Sequence, residues 1–229
     1  MPDARIHLVR HAETLFNVNG QLQGWCDSPL TERGERQAAA LGERLRDVPL
    51  AAAFTSDLTR TRTTAAAALA GHPHLAVTEM PELREWHFGG WEGQPNASLW
   101  GPVFRDHGYS YVPASPDWPR MTARGYDTVI DSVHKHDPSR RAETAEQVRV
   151  RLTRGLGVLL AAAEQAAATG AGDVLVVTHG VVLGTLLRRI APDHILPGGF
   201  PNCGLVTVTW QDGSVRVGET DDSCAQATG

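Results

Sequence analysis

Two short apolar runs, residues 6–9 and 174–178, each lead into a polar turn that carries a histidine, and most of the chain lies between them. The runs are continuous and rich in valine and isoleucine, the pattern of strands buried on both faces rather than on one. Strand-like and helical stretches alternate between them. That alternation specifies a mainly parallel sheet covered by helices on both sides, a three-layer α/β/α fold. Open sheets of this kind collect their chemistry at the carboxyl ends of strands. Arg10-His11 follows the first run and His179-Gly180 the second, so a cation and two imidazoles can converge on one anion, with phosphate the best fit.

Several other strings extend the pattern. Leu8-Val9-Arg10-His11-Ala12-Glu13-Thr14 is followed by Asn17, then by Asp27-Ser28-Pro29-Leu30-Thr31-Glu32-Arg33-Gly34 and Ser56-Asp57-Leu58-Thr59-Arg60. Leu83-Arg84-Glu85, Phe88-Gly89, Glu92-Gly93 and Thr178-His179-Gly180 come later. In this order the strings resemble the histidine phosphatase superfamily, also called phosphoglycerate mutase-like, over residues 5 to about 210. No single string is specific; the ordered set is.

Helical spacing of Ala38, Leu41 and Leu45 behind an N-cap at Thr31 predicts a helix over 31–46, stopped by Pro49. Residues 51–55 read as a second strand, 57–69 as an alanine-rich helix and 75–78 as a short third strand. Five prolines between 94 and 141 argue against any long regular element there. That segment is expected to be an irregular, lid-like insertion in a single α/β domain spanning 1–220. A long helix over 143–168, a helix over 181–190 and a terminal hairpin near 205–210 and 214–218 complete the expectation, with 221–229 a frayed tail.

A net charge of −5 over 229 residues offers no general attraction to nucleic acid or to an anionic membrane, so any anion site must be local. Three widely spaced cysteines, Cys26, Cys203 and Cys224, suggest neither a disulfide framework nor a metal site. No apolar run reaches membrane-spanning length, and no signal-like segment precedes the first strand. A cytoplasmic protein is expected; a homodimer is compatible with all of this. His134-Lys135-His136-Asp137 looks like a metal tract but reads as a solvated loop, and no metal or cofactor is called for.

His11 is the candidate nucleophile, because a neutral imidazole can attack phosphorus and carry the phosphoryl group. Arg10 beside it favours the neutral form. Arg60 falls in the first turn of a helix, where a cation is disfavoured unless an anion binds there; a pair with Asp57 is the plain alternative. His179 is the second imidazole, and Gly180 brings backbone N–H close to the same anion. A general acid and base is also needed, and Glu79, Glu82, Glu85 and Glu92 are all available. The resemblance selects Glu85, with Glu82 in reserve. It also implies that Arg10 and Arg60 clamp phosphoryl oxygens, that Asn17, Thr14, Gln23 and the Gly24 backbone line the substrate pocket, and that Glu143 supports by ordering an arginine or capping the long helix. Aromatic residues in and before the 94–141 segment, among them Trp86, Trp91, Trp100, Phe104, Tyr109, Tyr111 and Trp118, form either a lid or a satellite core.

Within the superfamily, mutases carry a paired arginine where this chain has Phe104-Arg105-Asp106-His107, and Asn-Ser where it has Val181-Val182. The lysine that usually follows their Glu-rich segment is missing as well. Tyr109-Ser110-Tyr111-Val112-Pro113 only echoes their lid. The expectation is a metal-independent phosphomonoester hydrolase acting on a small phosphorylated metabolite through phosphohistidine on His11. Mutase-type transfer, or phospho-ligand binding without turnover, are the alternatives.

Overall fold

A computed structural model describes residues 4–123, 125–192, 200–211 and 214–227. Its frame is a six-stranded sheet ordered β3-β2-β4-β1-β5-β6. The strands are β1 (Ala4–Arg10), β2 (Leu50–Thr55), β3 (Val77–Glu79), β4 (Asp173–Thr178), β5 (Leu205–Gln211) and β6 (Ser214–Asp221). The first four in spatial order are mutually parallel, and β5 and β6 add an antiparallel edge. β3 begins two residues later than the sequence suggests, since only 77–79 pair with β2. Every residue of β4 is buried, as its unbroken apolar run requires.

The helices are α1 (Leu15–Val18), α2 (Glu32–Leu45), α3 (Thr59–Ala68), α4 (Asn96–Asp106), α5 (Trp118–Thr122), α6 (Asp127–His136), α7 (Ala145–Thr169) and α8 (Gly180–Ile190). Local signals fix several ends. Thr31 accepts from the Gly34 N–H to cap α2, and Thr144 and Gln147 form a reciprocal capping box on α7. Gly170 ends α7 at φ +65°, a conformation glycine adopts without Cβ strain.

Two apolar layers sandwich the sheet. Val9, Val177 and Leu175 face Ala38, Leu41, Leu45 and Ala65 of α2 and α3; Leu8, Val174 and Val176 face the α4–α8 side. The chain therefore leaves β1 toward one face, while from β4 it enters α8 on the other. β1 and β4 are neighbours, so the sheet opens a crevice between their carboxyl ends.

Three expectations are corrected. The segment 94–141 is not irregular: α4, α5 and α6 occupy most of it. Pro102 sits inside α4, where it removes an N–H bond at a cost of about 3 kcal/mol, but the same helix buries Leu99, Trp100, Val103 and Phe104. The 134–137 tract is the last turn of α6 and its cap, not a solvated loop. Lys135 and His136 bond Asp106, while the buried Asp137 carboxylate accepts from the N–H groups of Gly90, Ser139, Arg141 and Ala142. Lastly, the tail expected to fray over 221–229 is packed through residue 227, and 228–229 lie outside the described residues. Cys224 and Ala225 are buried, and the Ala225 carbonyl accepts from Arg33 and Gln37 of α2. Among the described residues, no helix is long and apolar enough to cross a membrane.

Candidate active site

Strand register brings the two histidines together. Arg10 at the end of β1 pairs with Thr178 at the end of β4, so the next residue of each strand emerges at the same height. The His11 N–H bonds the Thr178 carbonyl at 2.9 Å, and the two imidazole centroids lie 5.3 Å apart at 61°. Both rings are buried. Burial, then Arg60, pushes both well below the usual histidine range; Arg10 adds to the effect on each. Both are therefore neutral around pH 7.

A hydrogen bond chooses the tautomer of His11. Its Nδ1 lies 2.8 Å from the Ala12 carbonyl, which can only accept, so Nδ1 carries the proton and Nε2 keeps a lone pair. His179 Nε2 lies 2.8 Å from Ser56 Oγ, while its buried Nδ1 has no partner. When Ser56 donates to Nε2, Nδ1–H is a free donor.

Two arginines complete the pocket. Arg10 Nη1 donates to the Phe200 carbonyl, and Arg60, 1% exposed, is held by Asp27 at 2.9 Å and by the carbonyls of Gln23, Gly24 and Cys26. The Nε of each guanidinium is buried without a partner. Six buried side-chain polar atoms lack partners among the described residues, and Arg10 Nε, Arg60 Nε and His179 Nδ1 are three of them. Each orphan donor costs about 1–3 kcal/mol. Both arginines act electrostatically on His11 and His179 lies beside it, so the three can form a cradle for an anion with several oxygens. The plain alternative for Arg60 fails, because Asp57 pairs with Arg84 instead.

Glu85 stands at the next station. It is buried, lines the cavity of about 280 Å³ that also reaches Arg10 and Gly180, and accepts from the N–H groups of Trp86, Val181 and Val182 at 3.1 Å each. Burial raises its pKa, only partly offset by those N–H groups and by Arg60 and Arg10. The other carboxylates are elsewhere. Glu79 pairs with Arg62 on the surface, and Glu92 accepts four backbone N–H groups from Gly24, Trp25, Cys26 and Phe88. Glu82 is not among the residues lining the cavity.

The profile of the histidine phosphatase superfamily, branch 1, matches residues 6–104 and 115–223. The chain belongs to that superfamily. It is 32% identical over 211 residues to a Yersinia enterocolitica protein named "Probable phosphoglycerate mutase GpmB", across 91% of this chain and 86% of that one. A crystal structure of phosphoglycerate mutase from Bacillus anthracis superposes with a TM-score of 0.83 at 30% identity, across 98% of this chain and 96% of that one. A mycobacterial glucosyl-3-phosphoglycerate phosphatase superposes with a TM-score of 0.67 at 26% identity, across 94% and 97%. Phosphatases and mutases both stand among the relatives of this histidine phosphatase superfamily member.

The smaller polar residues are engaged with the protein itself. Like His11, Arg60 and His179, the residues Thr14, Asn17, Gln23 and Gly24 are not among those lining the cavity beside Glu85. Thr14 Oγ1 lies 2.7 Å from Gln23 Oε1, and Asn17 Oδ1 accepts from the Thr14 N–H and from Asn202. Gln23 and Gly24 give their carbonyls to Arg60, and the Gly24 N–H goes to Glu92. They hold the loop that holds the arginine. A Cβ on Gly24 would lie 2.3 Å from the Trp86 carbonyl oxygen, so this close approach admits no side chain. Gly180 does line the cavity, but the N–H groups after it, at Val181 and Val182, are taken by Glu85.

Residues not singled out from sequence support the site. Ser56 Oγ lies 2.8 Å from His179 Nε2. Asn202 donates to the His11 carbonyl, and Cys203, in the left-handed region at φ 56°, gives its N–H to the carbonyls of Arg10 and His11. Glu143 orders Arg151, whose guanidinium reaches the carbonyls of Glu82, Arg84 and Glu85 and so fixes the acid's segment against α7. The helix cap falls to Thr144 rather than Glu143.

Proposed function

We propose that this protein hydrolyses a phosphomonoester of a small metabolite by way of a phosphohistidine on His11. One observation carries the reading: a buried imidazole with a free lone pair lies beside a second buried imidazole and feels two arginines whose Nε atoms have no partner, with a buried carboxyl in a cavity that reaches Arg10. His11 Nε2 attacks phosphorus while the ester P–O bond breaks, and the leaving alkoxide takes the proton held by Glu85. Arg10, Arg60 and His179 Nδ1–H stabilise the charge on the three equatorial oxygens. Water then attacks the phosphohistidine, giving its proton to the Glu85 carboxylate as the P–N bond breaks. Phosphate leaves, and His11 regains its lone pair. No step requires a metal, since arginine and imidazole meet the phosphoryl charge.

Hydrolysis rather than mutase transfer is favoured by what lines the cavity beyond Glu85. Val181 and Phe104 stand there, while Arg105 is exposed on α4. Cavity-lining cations among the described residues are Arg10 and Arg188, and the Arg188 guanidinium donates to the Ala123 and Pro192 carbonyls. A second, carboxylate-bearing substrate is thus poorly served. Acid quenching during turnover of a ³²P-labelled phosphomonoester, with chelator present, should trap an acid-labile phosphoenzyme. His11→Ala should abolish both label and turnover, and Glu85→Gln should lower kcat by about 10²–10⁴. Label retained in His11→Ala, or turnover only with added divalent cation, sinks the proposal. Release of labelled phosphate, rather than its transfer between 2- and 3-phosphoglycerate, separates hydrolase from mutase.

A further inference from the structure

The cavity beside Glu85 is walled by rings: Trp100, Phe104, Tyr111, Trp118 and Tyr126 all line it. They come from α4, α5, the loop between them and the cap of α6. Trp118 is the hub. Its ring meets Trp100 edge-on with centroids 5.2 Å apart, lies 29° from the plane of Phe104 at 6.2 Å, and approaches Tyr126 at 6.4 Å. Phe104 in turn meets Tyr111 edge-on at 5.4 Å. The volume is about 280 Å³, and an apolar cavity of ~150 Å³ already admits benzene. Rings arranged this way offer faces and edges to another flat ring, which prefers offset or T-shaped contacts. Glu85 and Arg10 line the same cavity.

We infer that, granted the phosphoryl-transfer reading above, this aromatic cavity holds the alcohol half of the substrate and selects a phosphomonoester of an aromatic or similarly flat apolar alcohol over that of a small hydroxy acid. A hydroxy acid would place its carboxylate against ring faces, which return none of the hydrogen bonds that water gives it. An aromatic alcohol loses only apolar hydration.

Non-hydrolysable phosphonates read this selectivity without chemistry. Calorimetric binding of 3-phenylpropylphosphonate should be roughly a hundredfold tighter than that of propylphosphonate, as burial of one ring implies. Turnover of 2-phenylethyl phosphate and ethyl phosphate, whose leaving groups are of similar basicity, should show a kcat/KM ratio of the same order, with 3-phosphoglycerate below both. Trp118→Leu keeps the position apolar but removes the ring, and should cut the binding ratio about tenfold. Tyr111→Leu, at a half-buried position, should cut it in the same direction if the tryptophan variant does not fold. Equal affinity for the two phosphonates, or tighter binding of 3-phosphoglycerate, overturns the inference. A binding preference without turnover supports the cavity's selectivity and counts against the phosphoryl-transfer reading alone.

Discussion

Ser56 is the residue on which the reactivity of His179 turns. A free imidazole exchanges tautomers readily, and only the form with Nδ1 protonated can donate into the cradle. That form is set when Thr61 Oγ1 donates to Ser56 Oγ across 2.7 Å and Ser56 in turn donates to Nε2. Ser56→Ala should therefore lower kcat roughly five- to tenfold with little change in KM, matching a net hydrogen bond of about 1 kcal/mol. Ser56→Thr, which keeps the hydroxyl, should recover most of the loss. An unchanged kcat in the alanine variant, or no recovery with threonine, removes Ser56 from the positioning of His179. From sequence Ser56 was an unremarked letter of a motif, because its partner lies 123 positions away.

At the next level, a loop is held in place by a buried carboxylate. Asp137 caps the break after α6 and binds the Gly90 N–H, tying the 134–142 stretch to the segment that follows Glu85. Gly89, at φ +62°, leaves no space for a side chain: a Cβ would lie 1.9 Å from Asp137 Oδ2. Asp137→Ala orphans four N–H donors at once and should cost about 3 kcal/mol of stability, read from urea unfolding, with Asp137→Asn losing less. Loss below about 1 kcal/mol in the alanine variant contradicts this account. The error about 94–141 has the same origin. Proline content is a local signal, whereas α4 persists around Pro102 because Trp100, Val103 and Phe104 are buried against the core. The Thr31 cap was legible because it acts within three residues of itself; Thr144 and Gly170 act as locally but were not singled out, and Glu143 stood in the place of Thr144.

Across the fold, burying two imidazoles and a carboxyl makes stability depend on pH. The unfolded chain titrates its histidines near pH 6.5, while His11 and His179 stay neutral far below that. As pH falls from 6.5 the unfolded state binds more protons, so stability drops by up to about 1.4 kcal/mol per pH unit for each ring. Glu85 acts in the opposite sense. Its folded pKa is raised, so the native state takes up a proton first and gains stability as pH falls through that raised value. Two rings against one carboxyl leave a net decline. Denaturant unfolding at pH 7.5, 6.5 and 5.5 should show stability falling below 6.5, more steeply in Glu85→Gln. A flat profile in both proteins rules out neutral buried rings.

The amino-acid order was enough to specify the strands, the Thr31 cap and a set of candidate reacting groups, with Glu85 chosen from four carboxylates only by the family resemblance. His11, His179, Arg10 and Arg60 stand at element ends, and periodicity and capping are written within a few neighbouring residues. The order of letters did not specify which polar atoms remain free. Thr14, Gln23 and Gly24 look equivalent to ligand-binding residues, yet their bonds go to one another, to Arg60 and to Glu92, whereas Arg60 Nε and His179 Nδ1 have no partner. Nor did it specify that a proline-rich stretch would fold into an aromatic cavity wall. Protonation, pairing and enclosure depend on groups that only the packed sheet and helices bring within a few ångströms, and that is where the chemistry of this chain is decided.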